Sequence, residues 1–575
     1  MDNPIKVIID SVNKGELDKA LSLCDISNNH KNKHVIFNIK GVIFFKQNKF
    51  DLAKLNFLKS REIDNQFIDP YKNLYELHIK KQEYSLAIEN GKKIVDLEKQ
   101  KNPLSYFKLA YAYDLNRNFS EAICNYKIVE KSNFREKKLL FNNLGSCYSA
   151  INKLKIAEKY YLEALEIDRN DKRIINNLLL IYLKIGDQKN TEIYFKKAEL
   201  VDKEFIQFKL NKSDYLFSIN KIEDSIKFLQ KIIDDNGNPF AYMRLASIFS
   251  RIGNDTKSIE IANQAYKKYP NFNEIKALKG MIHLKRGEFK DGWEFYEFRE
   301  SKLKNIFNEI KTWNNENLKE RKILVYSEQG LGDTIQFSKN LFKLSEICKD
   351  IDFVVSDKLF PIFKEKINNI NICKKKDLLE NKYDYKISIG SLNKSFFNNN
   401  DHKSSELITS NEIKKEIWKN KLEDKKINIG LVWSGNFFGP KEPFRSIKLE
   451  KFNKILNLDL NFYCLQSEIW DRDKLFFKNS KIIDYGKNNF EEISAIIPNL
   501  DLIISSDTSI LHLSCVLKKE TWGLLSLDSD WRWFDYYKLN PYENLKLYKQ
   551  SEFNNWESVL KNVEKDLTTK FNLKL

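Results

Sequence analysis

Between residues 1 and 300 the chain repeats itself about every 34 residues, and few architectures accommodate such a period. The clearest copy is FNNLGSCYSAINKLKIAEKYYLEALEIDRND. Here Leu144, Gly145, Tyr148, Ala157, Tyr161 and Ala164 fall where two antiparallel helices need small and large residues to interlock. Leu109, Ala110, Tyr113, Ala122 and Tyr126 repeat the pattern, as do Leu245, Ala246, Phe249 and Ala265 with a terminating Pro270, and Gly41, Ala53 and Phe57. A single helix pair cannot bury its apolar face, so stacked neighbours must share one core, an α-solenoid with a concave groove. The last copy, LKGMIHLKRGEFKDGWEFYEFRESK, ends in Trp293, Tyr296 and Phe298. Those aromatics are expected to pack where the array meets the C-terminal half of the chain.

These residues resemble the tetratricopeptide repeat, over residues 1–300 and in roughly eight or nine units. The resemblance implies a groove that takes a protein partner, or a spacer or dimerisation scaffold with nothing in the groove.

After the polar connector NIFNEIKTWNNENLKERK the period changes. Short apolar runs now alternate with helical segments, at Ile323–Tyr326, Phe353–Val355, Tyr385–Ile389, Ile427–Trp433, Phe462–Leu465, Lys481–Ile483, Leu502–Ser505 and Thr521–Leu525. That alternation predicts α/β structure with parallel sheets covered on both faces. The runs form two sets, which predicts two doubly wound domains facing across a cleft. The expected division is an α-solenoid over 1–300, a linker over 301–320, and Rossmann-like domains over 321–415 and 416–575.

Composition narrows the function classes. The net charge of +17 invites a nucleic-acid reading, but only 13 of the 97 basic residues are Arg and the lysines are spread throughout, so a solvated lysine-rich surface is expected instead. The seven cysteines are scattered without a CxxC pair or metal-ligand spacing, which suits a reducing compartment. With no basic-then-apolar leader and no long apolar run, the expectation is a cytoplasmic chain, or one peripheral to the inner membrane, without a membrane span.

The segment KILVYSEQGLGDTIQFSKNLFKL places Gly330, Gly332 and Asp333 between a strand and a helix, where parallel sheets bind ligands. Asp333 could cap that helix. A nucleoside-triphosphate loop would need a Gly-Lys pair that is missing. A dinucleotide fingerprint is opposed by Ile335 at its third position and by the acid, and Asp352 is expected before its strand rather than at its end. A glycosyltransferase loop carrying a catalytic carboxylate is the third reading. Further on, INIGLVWSGNFFGPKEPFRSIKLEKF brings Ser434, Gly435, Asn436, Arg445 and Ser446 to a strand end, and DLIISSDTSILHLSCVLKKETWGLLS ends a strand in Ser505, Ser506, Asp507, Thr508 and Ser509 at a helix entrance. Helix-entry amides beside an arginine make an anion site.

In this order, EQGLGDTIQF, GLVWSGN…RSI, DLIISSDTSILHL and DSDWRWF…YKQ resemble bacterial tetratricopeptide-repeat glycosyltransferases related to the lipopolysaccharide heptosyltransferases, over residues 321–550. The resemblance implies a GT-B pair of Rossmann-like domains and an inverting, metal-independent transfer from a nucleotide-sugar. Asp333 would be the base, and Ser434, Gly435, Asn436, Arg445, Ser446, Asp507, Thr508, Ser509 and His512 the donor site. Glu328, Gln329, Gly330, Gly332 and Thr334 would form the acceptor loop. Ser509 stands where heptosyltransferases have Gly, and the first Rossmann-like unit is short, so heptose is not implied. The partners expected are a nucleotide-sugar, a protein or glycan acceptor, and a protein in the repeat groove; no nucleic acid and no cofactor is expected.

Other residues have plainer expectations. The DxD triplets at 471–473 and 528–530 would serve a metal-dependent transferase, which is not expected. Arg532 either orders the donor loop or stacks between Trp531 and Trp533, and Trp433 is core. A final helix from a Ser551 cap, with Trp556, Leu560, Val563 and Leu567 inward, would cross the cleft. Two alternatives stand beside the transferase, a catalytically inactive repeat scaffold and a nicotinamide-dependent oxidoreductase.

Overall fold

The computed structural model describes residues 4–26, 32–299, 307, 310–378, 382–396, 407–422, 426–435, 444–484, 489–533 and 542–573. Helices follow one another in pairs from Pro4–Asn13 to Phe289–Tyr296. Each pair turns through one left-handed residue: Gly15, Asn48, Gln82, Arg117, Asn152, Gly186, Asn220, Gly253 and Gly287 have φ between 58° and 80°. Glycine and asparagine tolerate that conformation, whereas other side chains crowd the backbone. The small-to-large interlock is equally direct. A Cβ on Gly145 would lie 2.7 Å from the Tyr161 ring.

The chain divides into two compact units, Met1–Leu183 with Asp187–Phe208, and Lys184–Gly186 with Lys209–Leu575. In the first, Tyr75, Phe107, Tyr126 and Leu144 belong to one continuous core. In the second, the later repeats share their interior with the sheets. Leu284, Trp293 and Tyr296 belong to the sheet core, and Phe444 and Phe553 pack onto the core of the repeats.

The first sheet contains β1 (Lys322–Tyr326), β2 (Asp350–Val354), β3 (Lys366–Ile367), β4 (Ile370–Cys373) and β5 (Tyr385–Ser388), in the order β3-β4-β2-β1-β5. All neighbours are parallel except β3 and β4. The second contains β6 (Asn428–Val432), β7 (Asn461–Cys464), β8 (Leu502–Ser506), β9 (Thr521–Leu525) and β10 (Leu545–Lys549), parallel throughout, in the order β10-β9-β8-β6-β7. Tyr463 of β7 adds a parallel bridge to Ile483. Counting the segment of that isolated bridge as a position, the second sheet runs 3-2-1-4-5-6, the doubly wound order of dinucleotide-binding folds. Without β3, the first runs 3-2-1-4.

Several expectations need correcting. Asp352 lies inside β2, not before it, and its carboxylate accepts hydrogen bonds from Asn371 (2.9 Å) and Tyr383 (2.8 Å). The short pair β3–β4 and the lysine-flanked β10 were not expected; two residues are too few to show a period, and β10 buries only Leu545 and Tyr548, which do not alternate. The last helix is Glu557–Lys570, not a helix from Ser551. It packs through Val559, Leu560, Val563 and Leu567 onto Phe452, Ile455 and Trp522 in the core of the second sheet, rather than across to the first. Among the described residues no helix is long and apolar enough to cross a membrane.

The left-handed turns give a stability test. Gln82 is exposed at φ 59°, so Gln82→Gly should raise stability by about 1 kcal/mol. Gly186 has φ 73° and open space around it, so Gly186→Ala should lower stability by a similar amount through the backbone alone. Chemical denaturation followed by circular dichroism checks both.

Candidate functional site

In an open parallel sheet the ligand seat lies beyond the strand ends where the strand order reverses. In the first sheet that point is between β1 and β5, and Arg299, just past the last repeat helix, occupies it. Its Nη2 donates to Glu328 Oε1 (2.7 Å), Ser388 Oγ (2.9 Å) and Ser391 Oγ (2.9 Å), and its Nη1 to the Tyr296 carbonyl (3.0 Å) and Glu297 Oε1 (3.1 Å). Arg299 is 6% exposed and the Glu328 side chain 0%. Next along the loop, Gln329 Nε2 donates to the Tyr296 hydroxyl (2.7 Å). Glu328 and Gln329 are therefore held by the end of the repeat array.

Gly330 precedes the helix Leu331–Phe337, and its N–H donates to Asp333 Oδ2 at 2.8 Å. The other Asp333 oxygen pairs with Arg532. Both oxygens of the proposed base are thus engaged. Thr334 is buried, with its hydroxyl donating to the Gly330 carbonyl (3.2 Å). Gly332 allows a close approach, because a Cβ there would lie 2.9 Å from the His512 ring and 3.4 Å from Ser509 Cα.

Arg532 Nη1 also donates to Asp530 Oδ1 (2.5 Å), and its guanidinium lies 4.7 Å from the Trp531 ring and 5.2 Å from Phe337. Trp531 meets Trp293 edge-on at 5.1 Å and Tyr296 at 5.7 Å. Burial raises the Asp333 carboxyl above its ordinary range, against the pull of Arg532. Burial also works to lower the Arg532 pKa, but Asp333 and Asp530 more than offset it and hold the guanidinium charged. His512 stacks on Trp533 at 5.3 Å and shares a 3.0 Å hydrogen bond with the Tyr542 hydroxyl. Burial, then Arg532, lowers its pKa to about 3, so the ring is neutral.

In the second sheet the order reverses between β6 and β8, whose ends pair Val432 with Ser505. Past β6, Gln466 Oε1 accepts from the N–H groups of Trp433 (2.8 Å) and Ser434 (2.7 Å), and the Gly435 N–H donates to Ser446 Oγ (3.0 Å). The Arg445 guanidinium lies on Gly435, where a Cβ would come within 2.6 Å of Nη2. Past β8, the Ser505 and Thr508 hydroxyls are 3.1 Å apart, and Thr508 is the extended residue that opens the helix Ser509–Val516, with Asp507 in the turn before it. Ser506 is fully buried, and its hydroxyl has no hydrogen-bond partner among the described residues. Asn436 lies outside the described residues.

The described residues among the expected donor set therefore lie past two adjacent strands, and Gly332 meets Ser509 and His512. Asp473 of one DxD triplet accepts from Trp433 Nε1 (3.1 Å) and Leu449 N (3.0 Å). In the other, Asp530 pairs with Arg532 and Asp528 with Arg251 (3.8 Å) and Lys285 (3.7 Å). Sequence reasoning passed over Arg299 and Arg251; the scarcity of arginine in this chain was the signal that could have found both.

A tetratricopeptide-repeat family model matches residues 140–171. The chain therefore carries at least one such repeat, at residues 140–171. A tetratricopeptide repeat-containing protein of Methanocaldococcus jannaschii is 26% identical over 249 residues, 40% of this chain and 43% of that one. An anaphase-promoting complex subunit of Saccharomyces cerevisiae is 24% identical over 182 residues, 30% of this chain and 22% of that one. The chain thus spans less than half the length of the curated relatives it matches. Among solved structures, a tetratricopeptide repeat protein from Parabacteroides merdae is 16% identical with a TM-score of 0.35, covering 40% of this chain and 93% of that one.

The neutral His512 has a pH consequence. An unfolded imidazole protonates near 6.5 and the folded one near 3. Between those values the unfolded chain binds more protons, so stability falls as pH drops, by about 1.4 kcal/mol per unit for this group. In His512→Asn the slope of unfolding free energy between pH 6 and 4 should be shallower by about that amount, as denaturant titrations at each pH would register.

Proposed function

We propose that this protein works chiefly as a protein-interaction scaffold, with its tetratricopeptide repeats as the binding surface. The observation that carries this reading is a pairing of amides between successive repeats. Asn73 Nδ2 donates to Asn38 Oδ1 (2.9 Å) and Asn177 Nδ2 to Asn142 Oδ1 (3.2 Å). Asn73, Asn142 and Asn177 are half-buried. Each such amide keeps donor and acceptor capacity, which suits the backbone of an extended peptide. Probing the full chain against a random peptide library should retain ligands that Asn73→Ala with Asn177→Ala loses by roughly tenfold or more. Equal retention by the variant would contradict this surface.

A second reading concerns the sheets, and the seat of Arg445 on Gly435 favours it. A planar guanidinium at one strand end, with a helix entrance and the Ser506 hydroxyl at the next, suits a nucleoside diphosphate. On this reading the paired sheets form a GT-B-type, metal-independent, inverting glycosyltransferase, as the resemblance to heptosyltransferase-related enzymes implies. Arg445 and the helix mouth would stabilise the departing diphosphate, and Asp333 would take the acceptor proton once one of its oxygens leaves Arg532 or Gly330. A thermal-shift screen with UDP-, GDP- and ADP-sugars should raise the melting temperature with one of them, and Arg445→Ala should abolish the rise. No shift and no sugar-nucleotide hydrolysis with any donor would leave the scaffold reading alone.

A further inference from the structure

We propose that Arg251, a residue of the repeats, is a positioning residue for Arg445, so that the repeat array sets the strength of the anion seat in the second sheet. The inference rests on the reading of the β6–β8 crevice as that seat. Arg251 ends the helix Pro239–Arg251. Its guanidinium lies 5.5 Å from the Phe217 ring and 5.7 Å from the Phe444 ring. Phe217, Phe444 and Phe553 pack on one another, with centroids 5.7, 5.1 and 5.0 Å apart. Phe444 immediately precedes Arg445 in the chain, and Arg445 covers Gly435.

The same side chain reaches a second loop. Arg251 Nε lies 3.8 Å from Asp528, beyond β9, and Asp528 also receives Lys285 of the following repeat at 3.7 Å. Two residues later Asp530 holds Arg532, the partner of Asp333. One cation on a repeat helix thus contacts the loop that carries Arg445 and the loop beyond β9. A cation over an aromatic face at a partly exposed site is a modest attraction, enough to shift the population of a loop without holding up the fold. The Arg251 side chain is 33% exposed, so replacing it opens no buried cavity. A partner that moves this helix would therefore alter the placement of Arg445, which couples the repeats to the seat.

The test is calorimetric titration of the full chain with UDP, GDP, ADP and inorganic pyrophosphate, alongside thermal melts. Arg445→Gln should lose binding. Arg251→Gln should weaken it by roughly tenfold with a melting temperature equal to that of Arg286→Gln, a repeat variant whose arginine donates to Glu288 (2.8 Å) and Thr256 (3.2 Å) within the array. Arg251→Lys, which keeps a cation over the two rings, should restore most of the affinity. Wild-type affinity in Arg251→Gln, with binding lost in Arg445→Gln, overturns the positioning role while leaving the seat intact. Absence of binding by the wild-type chain to all four probes overturns the seat and the inference with it.

Discussion

A guanidinium taken out of water must find an acceptor for nearly every N–H, because an unmet buried charge costs several kcal/mol. This chain meets that demand at Arg299 and, apart from an Nε without a partner among the described residues, at Arg532, and both solutions draw distant segments to one point. Arg299 gathers the end of the last repeat, the strand β1 exit and the strand β5 exit through Glu328, Ser388 and Ser391. Arg532 gathers the helix after β1 and the loop after β9 through Asp333 and Asp530. Trp531, against the Arg532 guanidinium, meets Trp293 of the last repeat edge-on. With either arginine removed, the carboxylates it pairs, Glu328 and Glu297 or Asp333 and Asp530, would lose their counter-charge.

These two clusters also explain the character of the glycine loop. Glu328, Gln329, Gly330 and Asp333 each have a protein partner, so the loop is a joint between the repeats and the sheets as well as a strand end. The crevice of the first sheet is taken by Arg299. That of the second is bordered by Arg445, Ser446, Thr508 and a Ser506 hydroxyl without a partner among the described residues. Any anionic ligand is therefore better matched to the second sheet. Chemistry at Asp333 would need its ion pair to open, which ties activity, on the transferase reading, to the mobility of the loop that carries Trp531 and Arg532.

Much of the helical half was legible because its determinants are local. Gly145 and the Tyr161 ring face each other across one hairpin, as Gly41 and Phe57 do across another, and the turn between such helices favours Gly or Asn. The strands of the second half were legible as apolar runs, but their lateral order was not, since nothing in a run such as Ile503–Ser505 specifies its neighbour. The cap on Asp333 could be read from its place three residues after Gly330. Its bond to Arg532 could not, because a contact between two sheets leaves no trace in spacing. Arg299 and Glu328 lie 29 residues apart with a polar connector between them, and pattern alone gives no reason to join them.

The ion pair between Asp333 and Arg532 is the most direct point of test, since it ties the helix after β1 to the loop after β9. A double-mutant cycle with Asp333→Asn and Arg532→Met, measured by denaturant unfolding, would give its coupling. Each single replacement should cost about 3–5 kcal/mol, and the double variant should recover a large part of that loss. A double variant destabilised by the full sum of the two single losses would contradict the account, because the two side chains would then contribute independently.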